Sequence, residues 1–347
     1  MKEMEQITGI FPQKLRQLLK NAGTEAYQAE ELRLRAGQPF LMKADGGEWY
    51  LRADGSGWGK VEEGLDAPYI SQTEDIRDSL EYMSRYSLYA FDEELRQGYL
   101  TIPGGHRIGL AGQAVLEGNA LKTLRNISFL NVRVARQVKG CADGVMPWIY
   151  QEGRICSVLV ISPPGCGKTT LLRDMIRQAS DGWNGKDMGW NPWPWSWQKE
   201  AGAYFVPGVT VGVADERSEL GACCQGRPQN DLGFRTDVLD GCPKAEGIMM
   251  LIRSMAPQVV AVDEIGGRDD LEVIRYGKNC GCRLLATVHG CSLEDIRKKP
   301  VLKEFVEEGV FERYVVLKSH GKPGQIAQIL AGDGNVLCGE NGGKGAR

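Results

Sequence analysis

A glycine- and proline-rich segment, SPPGCGKTT at residues 162–170, constrains the fold of this chain more than any other feature. It follows an uninterrupted apolar run, ICSVLVI at 155–161, and it leads into helix-like apolar spacing over 169–179. A strand, a glycine-rich turn and a helix in this order form a P-loop, whose backbone N–H groups curl around phosphate. A chance turn of this composition is the alternative, but the order of strand, turn and helix favours a nucleotide-binding α/β domain.

The residues of the segment have separate predicted roles in binding ATP and Mg²⁺. Gly165 and Gly167 supply backbone freedom, and the helix from Thr169 points its positive end at the anion. Lys168 would reach the β- and γ-phosphates, and Thr169 would coordinate Mg²⁺ through its hydroxyl. The consensus has glycine where this chain has Ser162, and a small, turn-compatible serine should preserve phosphate binding. The predicted nucleotide-binding residues are Ser162, Pro163, Pro164, Gly165, Cys166, Gly167, Lys168, Thr169 and Thr170.

The rest of this region alternates strands with helices. Apolar runs occur at 209–215, 258–263 and 283–288, with helical patterns at 244–255 and 268–279. Uniformly apolar strands separated by helices indicate a parallel sheet that is covered on both faces. The segments FERYVVLKS and QIAQILA then predict a terminal strand pair.

Acidic and polar residues follow three of the predicted strands, at the sheet edge where ligands bind in α/β folds. Asp263 would hold the Mg²⁺ hydration shell, and Glu264 would orient and deprotonate the attacking water; a helix-capping acid pair is the alternative. Thr287 or His289 could sense the γ-phosphate, although a lone histidine is more often structural. Asp215 could be a further metal ligand, and Glu216 could be a catalytic carboxylate that supports metal or water. The alternative is that these two acids cap a helix.

Length and composition predict two domains and a flexible end. A chain of 347 residues exceeds the usual size of one compact domain. We expect an α+β domain over 1–140, a connector over 141–154 and the P-loop domain over 155–335. Residues 336–347 are expected to be flexible because they are glycine-rich. Five of the eight tryptophans fall between 183 and 197, so 181–203 is either a surface insertion or a membrane-interface or partner contact.

Charge and hydropathy exclude several classes. The formal net charge of -3 argues against a broadly basic nucleic-acid binder, although a local patch remains open. No run approaches the ~18 apolar residues of a spanning helix, and the first residues do not resemble a signal peptide, so we expect a cytosolic protein. Reduced thiols are expected for the ten cysteines. Cys280, Cys282, His289 and Cys291 could be imagined around zinc, but CxC is a poor chelate spacing, which favours buried small residues.

Long strings of the sequence resemble one family. The chain is similar to the stage III sporulation protein AA family, which is related to the type II and type IV secretion ATPases. The resemblance rests on EELRLRAGQPF, SLYAFDEELRQGYLTIPGGHRIGLAG, ISPPGCGKTTLLRD, ADERSE and GRPQNDLGFRTDVLDGCPKAEGIMMLIRSMAPQVVAVDEIGG. It places a Walker A loop at 162–169, an acidic box at 213–219, a Walker B strand at 259–264 and a histidine box at 281–289. The tryptophan-rich insertion departs from the family pattern.

The resemblance implies a RecA-like P-loop ATPase domain and a smaller N-terminal domain that contributes to the site. It also implies a homohexameric ring that hydrolyses ATP at subunit interfaces. Such a motor would dock, in the mother cell, on membrane proteins of the stage III sporulation channel complex, and it would be cytoplasmic and peripheral at the membrane. We expect no nucleic-acid partner; a nucleic-acid-stimulated ATPase and an ATP-gated scaffold with little hydrolysis are the alternatives.

Phosphoryl transfer often uses an arginine that a neighbouring subunit supplies to the γ-phosphate. Candidates by location in the N-terminal domain are Arg107, Arg125, Arg133 and Arg136. Alternatives in the second domain are Arg227, Arg235 and Arg253. A solubilising surface charge is the competing role for each N-terminal candidate, and the sequence does not choose among them.

Overall fold

The computed structural model describes residues 7–24, 28–44, 46–84, 96, 98–118, 120–151, 153–184, 205–319 and 323–339. Two compact units are present, residues 1–136 and residues 137–347. No helix within these described ranges is both long enough and apolar enough to cross a membrane.

In its described residues, the first unit contains an antiparallel sheet and the two helices named below. Its helices are α1 (Gln13–Asn21) and α2 (Thr73–Met83), and a short 3₁₀ turn spans Val61–Glu63. Its strands are β1 (Ala29–Arg35), β2 (Leu41–Ala44), β3 (Gly47–Leu51), β4 (Trp58–Lys60), β5 (Tyr99–Thr101), β6 (Arg107–Glu117) and β7 (Ala120–Arg133). They are ordered β4-β3-β2-β1-β7-β6-β5.

Alternation along the central strands of this sheet decides which face is buried. Leu32 and Leu34 of β1, with Leu130 and Val132 of β7, lie in the core together with Leu15 of α1. Successive side chains of a strand point to opposite faces, so the residues between these leucines and valines lie on the other face. That face carries most of the arginines of these strands.

The second unit is the α/β domain that the sequence predicts. Its helices are α3 (Lys168–Asp181), α4 (Lys244–Met255), α5 (Arg268–Asn279), α6 (Leu293–Lys298) and α7 (Pro300–Glu307), and a 3₁₀ turn spans Met146–Trp148. Its strands are β8 (Tyr150–Gln151), β9 (Arg154–Ile155), β10 (Val158–Ser162), β11 (Gly182–Asn184), β12 (Phe205–Pro207), β13 (Val211–Asp215), β14 (Thr236–Asp240), β15 (Val259–Val262), β16 (Arg283–His289), β17 (Arg313–Leu317), β18 (Ile326–Ala331) and β19 (Val336–Gly339).

An eight-stranded sheet ordered β14-β13-β15-β16-β10-β17-β18-β19 forms the centre of this unit. Pairing is parallel from β14 to β17 and antiparallel from β17 to β19. Both faces are buried: Leu159 and Ile161 of β10 join one apolar cluster, and Val158 and Val160 join the other. Helices α4 to α7 cover the first face and α3 covers the second. The parallel sheet therefore aligns the carboxyl ends of β13, β15, β16 and β10 along one edge.

The helices and the terminal strand pair that the sequence predicts for this unit are present, and one further strand was not predicted. Helices were expected over 169–179, 244–255 and 268–279, and α3, α4 and α5 occupy those positions. The strand pair at the end of the domain is also present, as β17 and β18. The sequence did not predict β14, whose residues TDVLD are half-buried at the edge of the sheet and lack a long apolar run.

The predicted flexible tail begins too early. Val336–Gly339 forms β19 and pairs with β18, so the expectation of a flexible segment from residue 336 is wrong for these four residues. A turn at Asp333 and Gly334, where Gly334 has φ 95°, returns the chain to the sheet, and backbone pairing holds the strand. The remainder of the predicted tail, 340–347, lies outside the described residues.

The predicted insertion at 181–203 is described only at its start. Gly182–Asn184 forms β11, which pairs antiparallel with β12. Trp183 is partly buried against the apolar cluster beneath α3. Residues 185–204, which include the other four tryptophans, lie outside the described part of the chain, so the role of the insertion stays a prediction.

Candidate nucleotide-binding site

The glycine-rich loop connects β10 to α3 at the carboxyl edge of the parallel sheet. Gly165 and Gly167 have φ angles of 76° and 87°, in the region that residues with a Cβ rarely adopt. Gly167 occupies the N-cap position, and α3 begins at Lys168. The first N–H groups of a helix have no partner inside the helix, so this end is suited to bind an anion.

Ser162, where the P-loop consensus has glycine, is tolerated by the structure. It is the last residue of β10, its side chain is fully buried, and its hydroxyl donates to the Pro163 carbonyl at 3.0 Å. Its φ is not positive, so a glycine is not required at this position. The imperfect match at the start of the motif therefore leaves the loop geometry intact.

Pro323 and Gly324, which precede β18, lie directly against the loop. The N–H of Gly324 donates to the carbonyl of Cys166 at 2.7 Å. A Cβ placed on Gly167 would lie 2.6 Å from the Gly324 nitrogen and 3.0 Å from the Pro323 carbonyl carbon. Gly167 is therefore required both for its conformation and for this close backbone approach.

The two residues that open α3 contact the two acids that follow β15. Lys168 Nζ donates to Glu264 Oε1 at 2.8 Å, and only 7% of the lysine side chain is exposed. Thr169 Oγ1 donates to Asp263 Oδ2 at 2.6 Å. The sequence separates the pairs by almost a hundred residues, and the adjacent strands β10, β16 and β15 bring them to one place.

Thr287 connects the same two acids from β16. It is fully buried, its hydroxyl donates to Asp263 Oδ1, and it accepts the backbone N–H of Glu264 at 2.9 Å. Glu264 has a φ of 55°, a left-handed conformation that is unfavourable for a residue with a side chain. Lys244, at the start of α4, donates to the Glu264 carbonyl at 2.6 Å. Thr287 and Lys244 thus hold the strained backbone of Glu264 from both sides.

The carboxylate of Glu264 is surrounded by basic side chains. Besides Lys168, His289 Nε2 lies 3.0 Å from Oε1, and Arg217 Nη1 donates to Oε2 at 3.3 Å. The hydrogen bond from Lys168 is the main reason why the pKa of Glu264 is lowered from its usual value. The carboxylate is therefore held ionised, as a group that accepts a proton from water must be at the start of the reaction.

Asp215 and Glu216 occupy different environments although they are adjacent in the sequence. The buried carboxylate of Asp215 accepts the N–H groups of Glu219, Leu220 and Gly221 at 2.9, 3.0 and 2.7 Å. Burial raises the pKa of Asp215. These bonds favour a structural role, since Asp215 stabilises the turn after β13. The alternative prediction, that Asp215 caps a helix, is wrong, because a turn and not a helix follows β13.

Glu216 faces a small cleft between the ends of β13 and β15. It forms an ion pair with Lys244 at 3.5 Å, and about 40% of its side chain is exposed. The cleft is lined by Ala214, Asp215, Glu216, Arg217, Glu219, Lys244, Asp263 and Glu264. Glu216 thus lines the same cleft as Asp263 and Glu264.

Three basic residues of the site were missed by the sequence analysis: Arg173, Arg217 and Lys244. Arg173 of α3 donates to the carbonyls of Glu219 and Leu220 at 2.6 and 3.0 Å, so it joins the loop's helix to the turn after β13. All three lie inside strings that carried the family resemblance, LLRD, ADERSE and CPKAEG. Their spacing in the sequence is not distinctive, and only the fold shows which carboxylates and carbonyls they contact.

The donor set fits a Mg²⁺-bound nucleotide. Hydroxyl and carboxylate oxygens are the protein ligands that Mg²⁺ prefers. Thr169 Oγ1 and Asp263 Oδ2 supply one of each, and they lie 2.6 Å apart. A lysine and a helix N-terminus adjoin them, as binding of a triphosphate requires. The zinc arrangement considered above does not form. Cys280 and Cys282 precede the seven-residue strand β16 and His289 ends it, so they are separated by roughly 20 Å.

Two of the arginine candidates in the first unit share one sheet face. Arg107 lies opposite Arg133 across β6 and β7, and Arg133 lies opposite Glu31 of β1. Arg33 and Arg35 follow Glu31 at two-residue steps on the same face, and sequence reasoning had not selected them. We call these residues the arginine face: Arg33, Arg35, Arg107 and Arg133, with Glu31, Asn131, Phe129 and Tyr99.

The arginine face is open and contains an aromatic contact. The guanidinium carbon of Arg107 lies 3.5 Å from the ring centroid of Tyr99, and Phe129 is 45% exposed. Of the other candidates, Arg125 is exposed on β7, and Arg136 donates to the Ala29 carbonyl at 3.1 Å. Arg136 therefore stabilises the start of β1.

The three alternatives in the second unit have separate surroundings. Arg227 is exposed in the loop after the turn that Asp215 stabilises. Arg235 donates to the Ser180 carbonyl at 2.8 Å, which joins the end of α3 to β14. Arg253 lies on the exposed side of α4, 5.9 Å from the Tyr276 ring. None of these three lines the cleft beside Asp263 and Glu264.

Comparison with known proteins identifies the family. The family model "Sporulation stage III, protein AA" matches residues 1–337. The chain belongs to this family. Stage III sporulation protein AA of Bacillus subtilis (strain 168) is 38% identical over 335 residues, which cover 96% of this chain and 97% of the relative. Protein SEEDLING PLASTID DEVELOPMENT 1 of Arabidopsis thaliana is 26% identical over 176 residues, half of this chain and 22% of that protein.

Two solved structures share the fold of this chain. The Legionella pneumophila ATPase DotB matches with a TM-score of 0.55 at 12% identity, over 93% of this chain and 82% of DotB. The pilus retraction motor PilT, solved with bound ADP, matches with a TM-score of 0.52 at 13% identity, over 86% of this chain and 77% of PilT. These similarities confirm the predicted fold class, a P-loop NTPase domain of the secretion-ATPase type together with a smaller α+β N-terminal domain.

Proposed function

We propose that the protein hydrolyses ATP at the loop formed by residues 162–170. The observation that supports this most is the set of contacts between the loop and the Walker B acids, Lys168 with Glu264 and Thr169 with Asp263. Two independent parts of the sequence meet here in the combination that phosphoryl transfer requires. Bound Mg²⁺ would neutralise charge on the β- and γ-phosphate oxygens, and Thr169 and Asp263 would hold it.

Each residue has a role that follows from its position. Lys168 would bind the β- and γ-phosphates, and the N–H groups at the start of α3 would bind the phosphate oxygens. Glu264 would orient the attacking water and accept its proton. His289, 3.0 Å from Glu264, would hold this carboxylate in place and detect the γ-phosphate. Glu216, which lines the cleft beside Asp263 and Glu264, would assist catalysis from the outer side of this cleft.

The biological proposal is a motor for a membrane-associated export or channel complex during endospore formation. Membership of the sporulation family supports a role in endospore formation. The fold that the protein shares with DotB and PilT supports a motor function. We propose that the protein acts as a homohexamer in the mother-cell cytoplasm, bound to the membrane through proteins of the stage III complex. The arginine face supports a contribution of the N-terminal unit, since it offers Arg107 and Arg133 for a γ-phosphate.

A second candidate function is a nucleic-acid-stimulated ATPase. The arginine face favours it, because arginines interleaved with Tyr99 and Phe129 on an open sheet could contact phosphates and stack on bases. Binding of single strands that weakens steeply with salt and raises ATP turnover would support this function. The same assay with Arg33→Ala and Arg35→Ala would show whether the face is responsible.

ATP turnover and native mass test the leading proposal together. Purified protein should release phosphate from Mg·ATP, and Lys168→Ala should abolish this release. An exposed arginine far from the loop provides a matched control: Arg154 of β9 precedes the amino end of β10, at the opposite edge of the sheet. Arg154→Ala should keep normal turnover. Normal turnover by Lys168→Ala would contradict the proposed site, and a monomer at all ATP concentrations would contradict the ring.

A further inference from the structure

Arg217 and Lys168, the lysine of the glycine-rich loop, contact the same carboxylate, that of Glu264. Its Nη1 donates to Glu264 Oε2 at 3.3 Å, while the other oxygen of the same carboxylate accepts from Lys168 at 2.8 Å. Glu264 therefore lies between two cations, one that is buried on α3 and one that projects from the turn after β13. The two cations therefore approach the same carboxylate from different elements, the start of α3 and the turn after β13.

The backbone below Arg217 is fixed, whereas its side chain is free to change partner. Asp215 accepts three N–H groups of the turn, and Arg173 holds two of its carbonyls. The Arg217 side chain is 66% exposed, and an ion pair so exposed contributes little stability. The turn thus presents a long guanidinium side chain from a rigid base, next to the Glu264 carboxylate.

A nucleotide at the loop changes the charge around Glu264. The γ-phosphate would approach Lys168 and place its negative charge next to the Glu264 carboxylate, which like-charge repulsion disfavours. A phosphate is a better partner for this guanidinium than the Glu264 carboxylate, because it carries more charge and can accept two parallel hydrogen bonds, whereas Arg217 makes a single bond of 3.3 Å to Glu264. ADP ends at the β-phosphate and does not offer this partner.

We propose that Arg217 binds the γ-phosphate of ATP bound to the same chain and thereby distinguishes ATP from ADP. The inference rests on the proposed function, because it requires ATP at the P-loop. Arg217 exchanges Glu264 for the phosphate when ATP binds, which leaves the Oε2 oxygen of Glu264 available to the attacking water. This contact is made within one chain, in addition to any arginine that a neighbouring subunit supplies.

Isothermal titration with Mg²⁺ and either a non-hydrolysable ATP analogue or ADP tests the inference. Arg217→Ala should weaken binding of the ATP analogue by at least about tenfold and change ADP binding less than about twofold, since charge-assisted bonds to one phosphate are lost. Arg217→Lys should recover part of the affinity. Arg154→Ala should bind both nucleotides as the wild type does. Equal effects on both nucleotides, or no effect on either, would overturn the inference.

A double-variant cycle with Glu264→Gln separates phosphate binding from positioning of Glu264. If Arg217 binds the phosphate, Arg217→Ala weakens binding of the ATP analogue in the Glu264→Gln background as well. If Arg217 acts only through Glu264, its effect disappears in that background, and the inference is wrong. Wild-type protein that binds neither nucleotide would contradict the proposed function itself, a result distinct from binding that Arg217→Ala leaves unchanged.

Discussion

The variant Thr287→Val removes one buried hydroxyl, and it should lower the stability and the ATP turnover of the protein more than the loss of any exposed charge. Valine keeps the shape of threonine but leaves the N–H of Glu264 without its partner and removes one donor from Asp263. An unsatisfied buried N–H costs roughly 1–3 kcal/mol, and a bond to a charged group contributes about 1.5–3 kcal/mol. Asp263 keeps the bond from Thr169, so we expect a total loss of about 2–4 kcal/mol in the free energy of unfolding.

Thr287→Ser is the matched control, because it keeps the hydroxyl and loses only a buried methyl group. Its expected cost is about 1 kcal/mol. Urea unfolding followed by circular dichroism measures both variants, and phosphate release measures turnover. Thr287→Val should lower turnover by at least about tenfold, equivalent to ~1.4 kcal/mol of activation free energy, and Thr287→Ser by less than about threefold. Equal stability and turnover in the two variants would refute the bridging role of the hydroxyl.

Two further predictions concern the loop and Glu264. Gly167→Ala should lower the thermal unfolding temperature more than Gly165→Ala, since both have positive φ but only a Cβ at 167 meets the Gly324 backbone; equal losses would contradict the close approach. The pKa of Glu264 is lowered in the folded state, so its contribution to stability is full above the usual glutamate pKa and is lost as the pH falls through the folded value. Urea titrations from pH 7 to pH 3 should therefore show the stability difference between wild type and Glu264→Gln shrinking only at the acidic end. A difference that shrinks near neutral pH would contradict the ion pairs of Glu264 with Lys168 and Arg217.

The sequence predicts the parts of the site that have a distinctive residue pattern. Gly165, Gly167, Lys168 and Thr169 are recognisable because few other arrangements combine a buried strand, small residues and a helix start. The two acids after β15 are predictable for the same reason, since an apolar strand that ends in Asp263 and Glu264 exposes them at the ligand-binding edge.

The parts that depend on contacts between distant elements were not predictable. Lys244 and Arg217 carry no spacing signal: the parallel pairing of β13 with β15 brings Arg217 to Glu264, and Lys244 reaches it from the start of α4. Asp215 shows the reverse problem: its position after an apolar strand suggested metal binding, but three backbone N–H groups occupy its oxygens. Strand β14 was missed because edge residues are half-buried and lack a continuous apolar run.

The nucleotide that Glu264→Gln retains after gel filtration tests the central claim most directly. Glutamine keeps the size of the side chain and removes the base, so a hydrolytic site should bind Mg·ATP and fail to cleave it. The account predicts that ATP, and not ADP, co-elutes with Glu264→Gln, and that Lys168→Ala retains neither. ADP on Glu264→Gln at the wild-type level would show that Glu264 is not the base, and would contradict the mechanism proposed for this site.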